Sequence, residues 1–166
     1  MRPDRYWWTR IDMRTLRANE ERRRHNLTQP TNVVLISCSK SKLNHRAPAR
    51  ELYTGQLFKK AVAWAERNAH QWFVISALHG LVTPNQELDP YDYTMKDRRT
   101  RERESWAHLV ASDLSSYVSK NSHAVLIMPN VYRRFLETEL QRHAITSEHP
   151  LAGMAIGQQM HWLMNN

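Results

Sequence analysis

Three short apolar runs constrain this chain more than any other feature: Val33–Ser37 (VVLIS), Trp72–Ala77 (WFVISA) and Ala124–Met128 (AVLIM). Each is a strand's length, and none alternates apolar with polar. A strand reads this way when both of its faces are covered, as in a parallel sheet with helices packed on either side. Helical periodicity fills the intervals. Leu57, Ala61, Val62 and Ala65 recur at helical spacing after Thr54, which reads as a cap, through residue 69. Trp106, Leu109, Val110, Leu114, Tyr117 and Val118 share one face of a second helix. Tyr132, Phe135, Leu136 and Leu140 mark a third, Ala144–Ser147 reads as a short further strand, and Met154–Met164 reads as a closing helix.

The order β-α-β-loop-α-β-α-(β)-α predicts an α/β fold. The expected architecture is a three-layer domain with a short, mostly parallel sheet of about four strands flanked by helices, preceded by a basic N-terminal arm. The arm is assigned to residues 1–31 and the α/β domain to 32–166, with the polar stretch Asn26–Asn32 and its Pro30 as the linker. Ligands bind such sheets beyond the carboxyl ends of the strands. That rule selects Cys38–Lys42, Ala77–Asp92 and the loop after Met128.

Composition excludes several classes. A single Cys in 166 residues forms no internal bridge, so a reducing compartment is expected. No apolar run approaches the roughly 20 residues of a bilayer span, and the first residues lack the apolar region of a secretory signal. Four glycines leave no Gly-rich phosphate loop. Nine histidines form no metal-ligand spacing, so neither metal nor cofactor is expected.

The formal charge is +8, which suits a polyanionic partner. Residues 1–31 carry eight arginines, no lysine and four acids, and so half of that excess. Arg2, Arg5, Arg10, Arg22, Arg23 and Arg24 accompany Trp7 and Trp8. Guanidinium forks grip phosphate and indoles stack on bases, so these eight residues are the expected nucleic-acid contacts. The alternative is a helix over 10–24 that packs on the domain through Ile11, Met13 and Leu16. The four acids argue against a transit peptide.

At the strand ends, Ser39, Lys40 and Lys42 lie in a stretch of hydroxyls and ammoniums suited to an anion. Cys38 reads either as a nucleophile with His79 as its base or as a small strand-end hydrophobe. Arg50 and Tyr53 suit a phosphate and a base face, or else an ion pair and the core. Ser76, His79 and Gly80 form a turn after the second strand. Asp89 and Asp92 bracket Pro90 and Tyr91, and read as acid–base carboxylates beside a stacking ring or as turn caps. Lys96–Arg103 reads as a self-paired helical face or a phosphate contact. The stretch 150–159 sets Gly153 and Gly157 ahead of a helix whose free N–H groups suit an anion, and Gln158 and Gln159 suit base edges, or else the glycines serve close helix–sheet packing and the glutamines face water.

Together CSKSK (38–42), ARELYTG (49–55), SALHGL (76–81), DPYD (89–92) and PLAGMAIGQQ (150–159) resemble an uncharacterised bacterial and phage domain family. More distantly, SALHGLVTPNQELDPYDYTM is similar to the S-G-L-Y-G…PY segment of the YaaA peroxide-stress proteins. CSKSK faintly resembles the Cys-containing motif of archaeosine synthase. The resemblance spans about 33–164, leaves out the arm, and lacks the extra helical region of YaaA. It implies a DNA-binding or modified-base context in a bacterial cytoplasm, for a host or phage gene, with a layout similar to uracil-DNA-glycosylase-like domains. No glycosylase motif is present from which catalytic residues transfer one by one.

Residues and resemblance together lead to the expectation of a nucleic-acid-binding protein acting on a nucleobase in DNA at the N-glycosidic bond, glycosylase-like. Asp89 or Asp92 supplies the carboxylate, Tyr91 or Tyr53 the stacking ring, and Ser39, Lys40 and Lys42 the phosphate grip, while His79 and Gln158 read the base. Two alternatives stand beside it: an enzyme on free nucleotides or nucleosides, and a non-catalytic DNA-binding accessory or phage defence factor.

Overall fold

The computed structural model describes residues 13–166. The elements run α1 (Met13–Thr28), β1 (Asn32–Ser37), β2 (Ala47–Pro48), α2 (Ala49–Leu52), α3 (Gln56–Asn68), β3 (Gln71–Ser76), β4 (Gly80–Val82) and β5 (Glu87–Leu88). A 3-10 turn (Met95–Asp97) follows. Then come α4 (Thr100–Leu114), β6 (His123–Ile127), α5 (Asn130–Arg142), β7 (Thr146–Glu148) and α6 (Ile156–Asn165).

The main sheet has the order β4-β3-β1-β6-β7, with β3, β1, β6 and β7 parallel and β4 antiparallel at one edge. The three apolar runs are its three central strands, and their lack of alternation has the expected cause. Odd and even positions of β1 bury on opposite faces: Val34 and Ile36 join Phe58, Trp64 and Leu163, whereas Val33 and Leu35 join Val110, Leu114 and Leu136. Strands β3 and β6 divide in the same way, through Val74 against Phe73 and Ile127 against Leu126. Helices α3 and α6 cover one face, where Trp64 and Trp162 meet at 5.3 Å between ring centroids; α4 and α5 cover the other.

Several details differ from the sequence expectation: Gly55 rather than Thr54 is the cap of α3, and Leu109 is exposed on α4, which ends at Leu114. The sheet gains a fifth strand, because the loop after β3 turns back at once. Gly80 takes φ +69°, which a residue with a Cβ resists, and Ser76 pairs with Gly80 across the hairpin. The same loop adds β5, which pairs with β2 as a separate two-stranded ribbon. Helix α1 continues to Thr28 and so absorbs the first part of the expected linker. Arg22 and Arg24 are exposed on α1, with Arg24 4.0 Å from Glu20, and Arg23 lies on the same helix. Arg2, Arg5, Trp7, Trp8 and Arg10 lie outside the described residues.

The chain leaves β1 through α3 to reach β3 on one side, then returns through α4 to β6 on the other. The crossovers therefore diverge between β1 and β6, and the crevice at such a point is where open α/β sheets bind ligands. No helix among the described residues is long and apolar enough to cross a membrane.

Leu35 is fully buried at the centre of this sheet. We expect Leu35→Ala to cost about 2–5 kcal/mol of unfolding free energy, read by urea denaturation.

Candidate functional site

Beyond the strand ends lie a polar cluster and an apolar cavity, and Cys38 borders both. Its backbone N–H extends the β1–β3 ladder by one bond, to the Ile75 carbonyl at 3.0 Å. Its thiol lies 3.5 Å from the Tyr132 hydroxyl on α5. The half-buried side chain packs against the cores on both sheet faces.

The polar cluster is built on Ser76, fully buried at the end of β3. Its Oγ accepts the N–H groups of Leu78 (3.2 Å) and His79 (3.0 Å), which shapes the hairpin, and it lies 2.6 Å from the Tyr91 hydroxyl. That hydroxyl in turn lies 2.8 Å from the hydroxyl of Tyr53, which is fully buried. The His79 ring stands edge-on to Tyr91 at 5.1 Å. Trp106 of α4 donates Nε1–H to the Ser76 carbonyl at 3.0 Å and stands edge-on to Tyr132.

Lys42 closes the cluster. Its ammonium sits 4.4 Å from the Tyr91 ring centre and 5.6 Å from that of Tyr53, both within cation–π range. It donates to the carbonyls of Ser39 (3.1 Å) and Lys40 (3.4 Å). Burial lowers its pKa from the ordinary value, and electrostatic attraction towards Cys38 and Asp92 partly opposes this. Backbone bonds from Leu43 to Leu52 and from Thr54 to Ser41 pin the Ser39–Lys42 loop. Ser39 Oγ accepts the Gly55 N–H at 3.3 Å and donates to the Ser41 carbonyl. A Cβ at Gly55 would lie 2.9 Å from the Ser39 Cβ, so this glycine is what lets the loop come so close.

Burial dominates the tyrosines. It raises the pKa of Tyr53 to about 12 and drives those of Tyr91 and Tyr132 upward as well, so all three phenols are neutral across the physiological range.

The cavity occupies about 470 Å³ at the divergence between β1 and β6. Leu57, Phe58, Ala61, Leu126, Leu151 and Ile156 line most of it. Ile156, 64% exposed, forms its lip. Polar groups enter from Ser37, Cys38, Ser39, Asn130, Arg133, His149 and Gln159. Glu137 stands behind two of them, 3.4 Å from His149 Nε2 and 3.9 Å from Arg133 Nε. Among the described residues, no group of three or more His, Cys, Asp or Glu side chains is placed to hold a metal ion.

The structure brings together Cys38, Ser39, Lys42, Tyr53, Ser76, His79 and Tyr91, with the exposed Asp92 close enough for its charge to act on Lys42. Lys40 is exposed on the same loop. Gly80 shapes the neighbouring hairpin. Four other candidates lie apart from this cluster. Asp89 follows the β2–β5 ribbon and pairs with Arg46 at 3.2 Å, in solvent. Arg50 pairs with Glu66 of α3. Gln158 uses its Oε1 to accept the Ala155 N–H at 2.9 Å, capping α6, and Gly157 is exposed on that same first turn.

Tyr132, Asn130, Arg133 and His149 are site residues that sequence alone does not single out, whereas Gln159 shares with Gln158 the expected role at base edges. Their traces were nevertheless present. Asn130, Arg133 and Glu137 keep the three- and four-residue spacing of one helix face, directly after the strand closed by Pro129, and His149 follows the last strand.

A model described as a family of unknown function (DUF6884) matches residues 33–165, a span that holds every residue of the cluster and the cavity. No curated protein and no solved structure matches the chain.

Two outcomes test this geometry. Gly55→Ala should displace the Ser39–Lys42 loop and lower the melting temperature, and adding Ser39→Gly should restore much of the loss by removing the opposing Cβ. Thermal melts of the two variants check it. The raised Tyr53 pKa means that the unfolded chain ionises first, near the ordinary 10.0, while the folded phenol keeps its proton to about 12. The folded state then binds more protons, so stability should be fully present below pH 10 and fall from about pH 10 to about pH 12. Urea denaturation across that range should show a shallower decline for Tyr53→Phe.

Proposed function

Since the chain belongs to the DUF6884 family, whose function is unknown, we infer its function from the site itself: the protein acts on a nucleobase, in DNA, at the N-glycosidic bond. The observation that carries this reading is the shared wall at Cys38, where a cationic, hydroxyl-rich cluster adjoins a largely apolar slot the size of one small ligand.

In this reading the extruded base enters the slot, while the sugar and its phosphate lie on the Ser39–Lys42 loop. Lys42 and the backbone N–H groups of that loop supply positive potential for the phosphate. The bond from C1′ to the base nitrogen breaks, its electron pair leaves with the base, and water adds to the sugar. Asp92 stabilises the cationic sugar and takes the proton of that water. Asp92 is the better placed of the two loop carboxylates, because its charge reaches Lys42 whereas Asp89 is held by Arg46. The arginines of residues 1–31 add sequence-independent affinity for the strand.

The enclosure of the slot by α6 and the turn before it supports a second reading, in which the substrate is a free nucleoside or nucleotide. Base release from oligonucleotides bearing modified bases and from free nucleosides, followed by chromatography, tests both. We expect Asp92→Asn to slow release by about 10²-fold or more and Asp89→Asn to leave it unchanged. Deleting residues 1–31 should weaken DNA binding and flatten its salt dependence. If activity on mononucleosides survives that deletion and DNA is inert, the second reading replaces the first. Salt-dependent DNA binding without release of any base overturns the enzymatic reading and leaves a binding module.

A further inference from the structure

We propose that the cavity reads a planar heterocycle through two half-committed amides, Asn130 and Gln159; this rests on the nucleobase reading above and assigns its recognition edge. Each amide has one half occupied by a hydrogen bond within the chain, that of the exposed Asn130 at the surface and that of Gln159 partly buried. Asn130 Oδ1 accepts from Arg133 Nη2 at 3.2 Å, and Arg133 is itself steadied by Glu137. The half left over is the Nδ2 donor. Gln159 donates Nε2–H to the Met154 carbonyl at 2.9 Å, which leaves Oε1 as an acceptor. Neither remaining half has a partner among the described residues. The internal bonds fix the sense of both carboxamides.

Among the polar groups of this largely apolar slot, beside Ser37, Ser39, Arg133 and His149, these two amides therefore add one free donor and one free acceptor. A phosphate or carboxylate offers acceptors alone, and an ammonium donors alone. Either would leave one of the two amide halves without a partner on the ligand. A heterocycle edge with an acceptor beside an N–H satisfies both, and each nucleobase presents such an edge. A flat ring would also cover Ile156, whose side chain is otherwise an exposed apolar lip. Gln158, one residue away, has its carbonyl oxygen engaged in capping α6 and takes no part. Recognition thus falls one position along from the glutamine favoured by the sequence.

The test uses the full chain, with free adenine, guanine, cytosine and uracil as probes and indole as a flat ring without the acceptor edge. Affinities come from calorimetry, and contact at the slot from the side-chain amide resonances of Asn130 and Gln159. We expect at least one base to bind and to shift both resonances, and indole to bind more weakly. Asn130→Asp, which exchanges the free donor for an acceptor at constant size, and Gln159→Met should each weaken that base about tenfold or more, while Gln158→Met changes it less than about twofold. Thermal melts confirm that each variant folds. If a base binds the wild type and both slot variants equally, the recognition edge is wrong and the nucleobase reading stands. If the protein releases base from DNA yet no free base shifts either amide, the edge is also overturned. If no base binds and none is released, the nucleobase reading fails and the edge fails with it.

Discussion

The parallel ladder through β1, buried on both faces, is the constraint from which the rest follows. A strand paired on each side and covered above and below leaves its own chain one way out, at the carboxyl end, and parallel neighbours leave at the same rim. The Ser39–Lys42 loop, the hairpin after β3 and the start of α5 are therefore brought together by topology before any of their side chains interact. Chemistry distributed over more than a hundred residues of sequence meets at Cys38 because β1 lies between β3 and β6.

The rim is also where the fold concentrates its polar burial. Ser76 and Tyr53 are fully buried, and a buried hydroxyl without a partner is expensive. Each is satisfied by the other through Tyr91, a residue contributed by the long loop after β5. That loop is thereby tied to the sheet by hydrogen bonds as well as by the packing of Leu88 and Met95. The same tie seats the Lys42 ammonium over an aromatic face. Structure and candidate chemistry draw on the same contacts here, so a change to Tyr91 reaches both.

Much of this was readable from the chain alone. Unalternated runs identified the central strands, since apolar residues on both faces follow directly from two-sided burial. The strand-end rule then selected Cys38, Lys42, Ser76, His79 and Tyr91 without knowledge of any contact. What escaped was decided by local hydrogen bonding. Gly80 supports several turns, and sequence alone does not say that this one reverses the chain into a fifth strand. Asp89 and Asp92 look equivalent around Pro90-Tyr91 until Arg46 arrives from just before the opposite strand of a two-stranded ribbon. Gln158 and Gln159 differ by the 100° of one helical step, and capping decides which of them faces the cavity. In each case the deciding partner is an N–H, a carbonyl or a guanidinium, and the apolar pattern carries no information about it.

The hydroxyls at the rim have a direction. Ser76 Oγ uses both lone pairs on the N–H groups of Leu78 and His79, so its own hydrogen goes to Tyr91. Tyr91, having accepted that hydrogen, passes its own to Tyr53. Three O–H dipoles are thus aligned head to tail, starting from two backbone amides at the end of β3 and finishing on a phenol beneath the Lys42 loop. The row is therefore polar: the Tyr53 hydroxyl is its donor end, the one O–H of the three whose hydrogen is not committed within the row, and its acceptor end rests on the two peptide N–H groups.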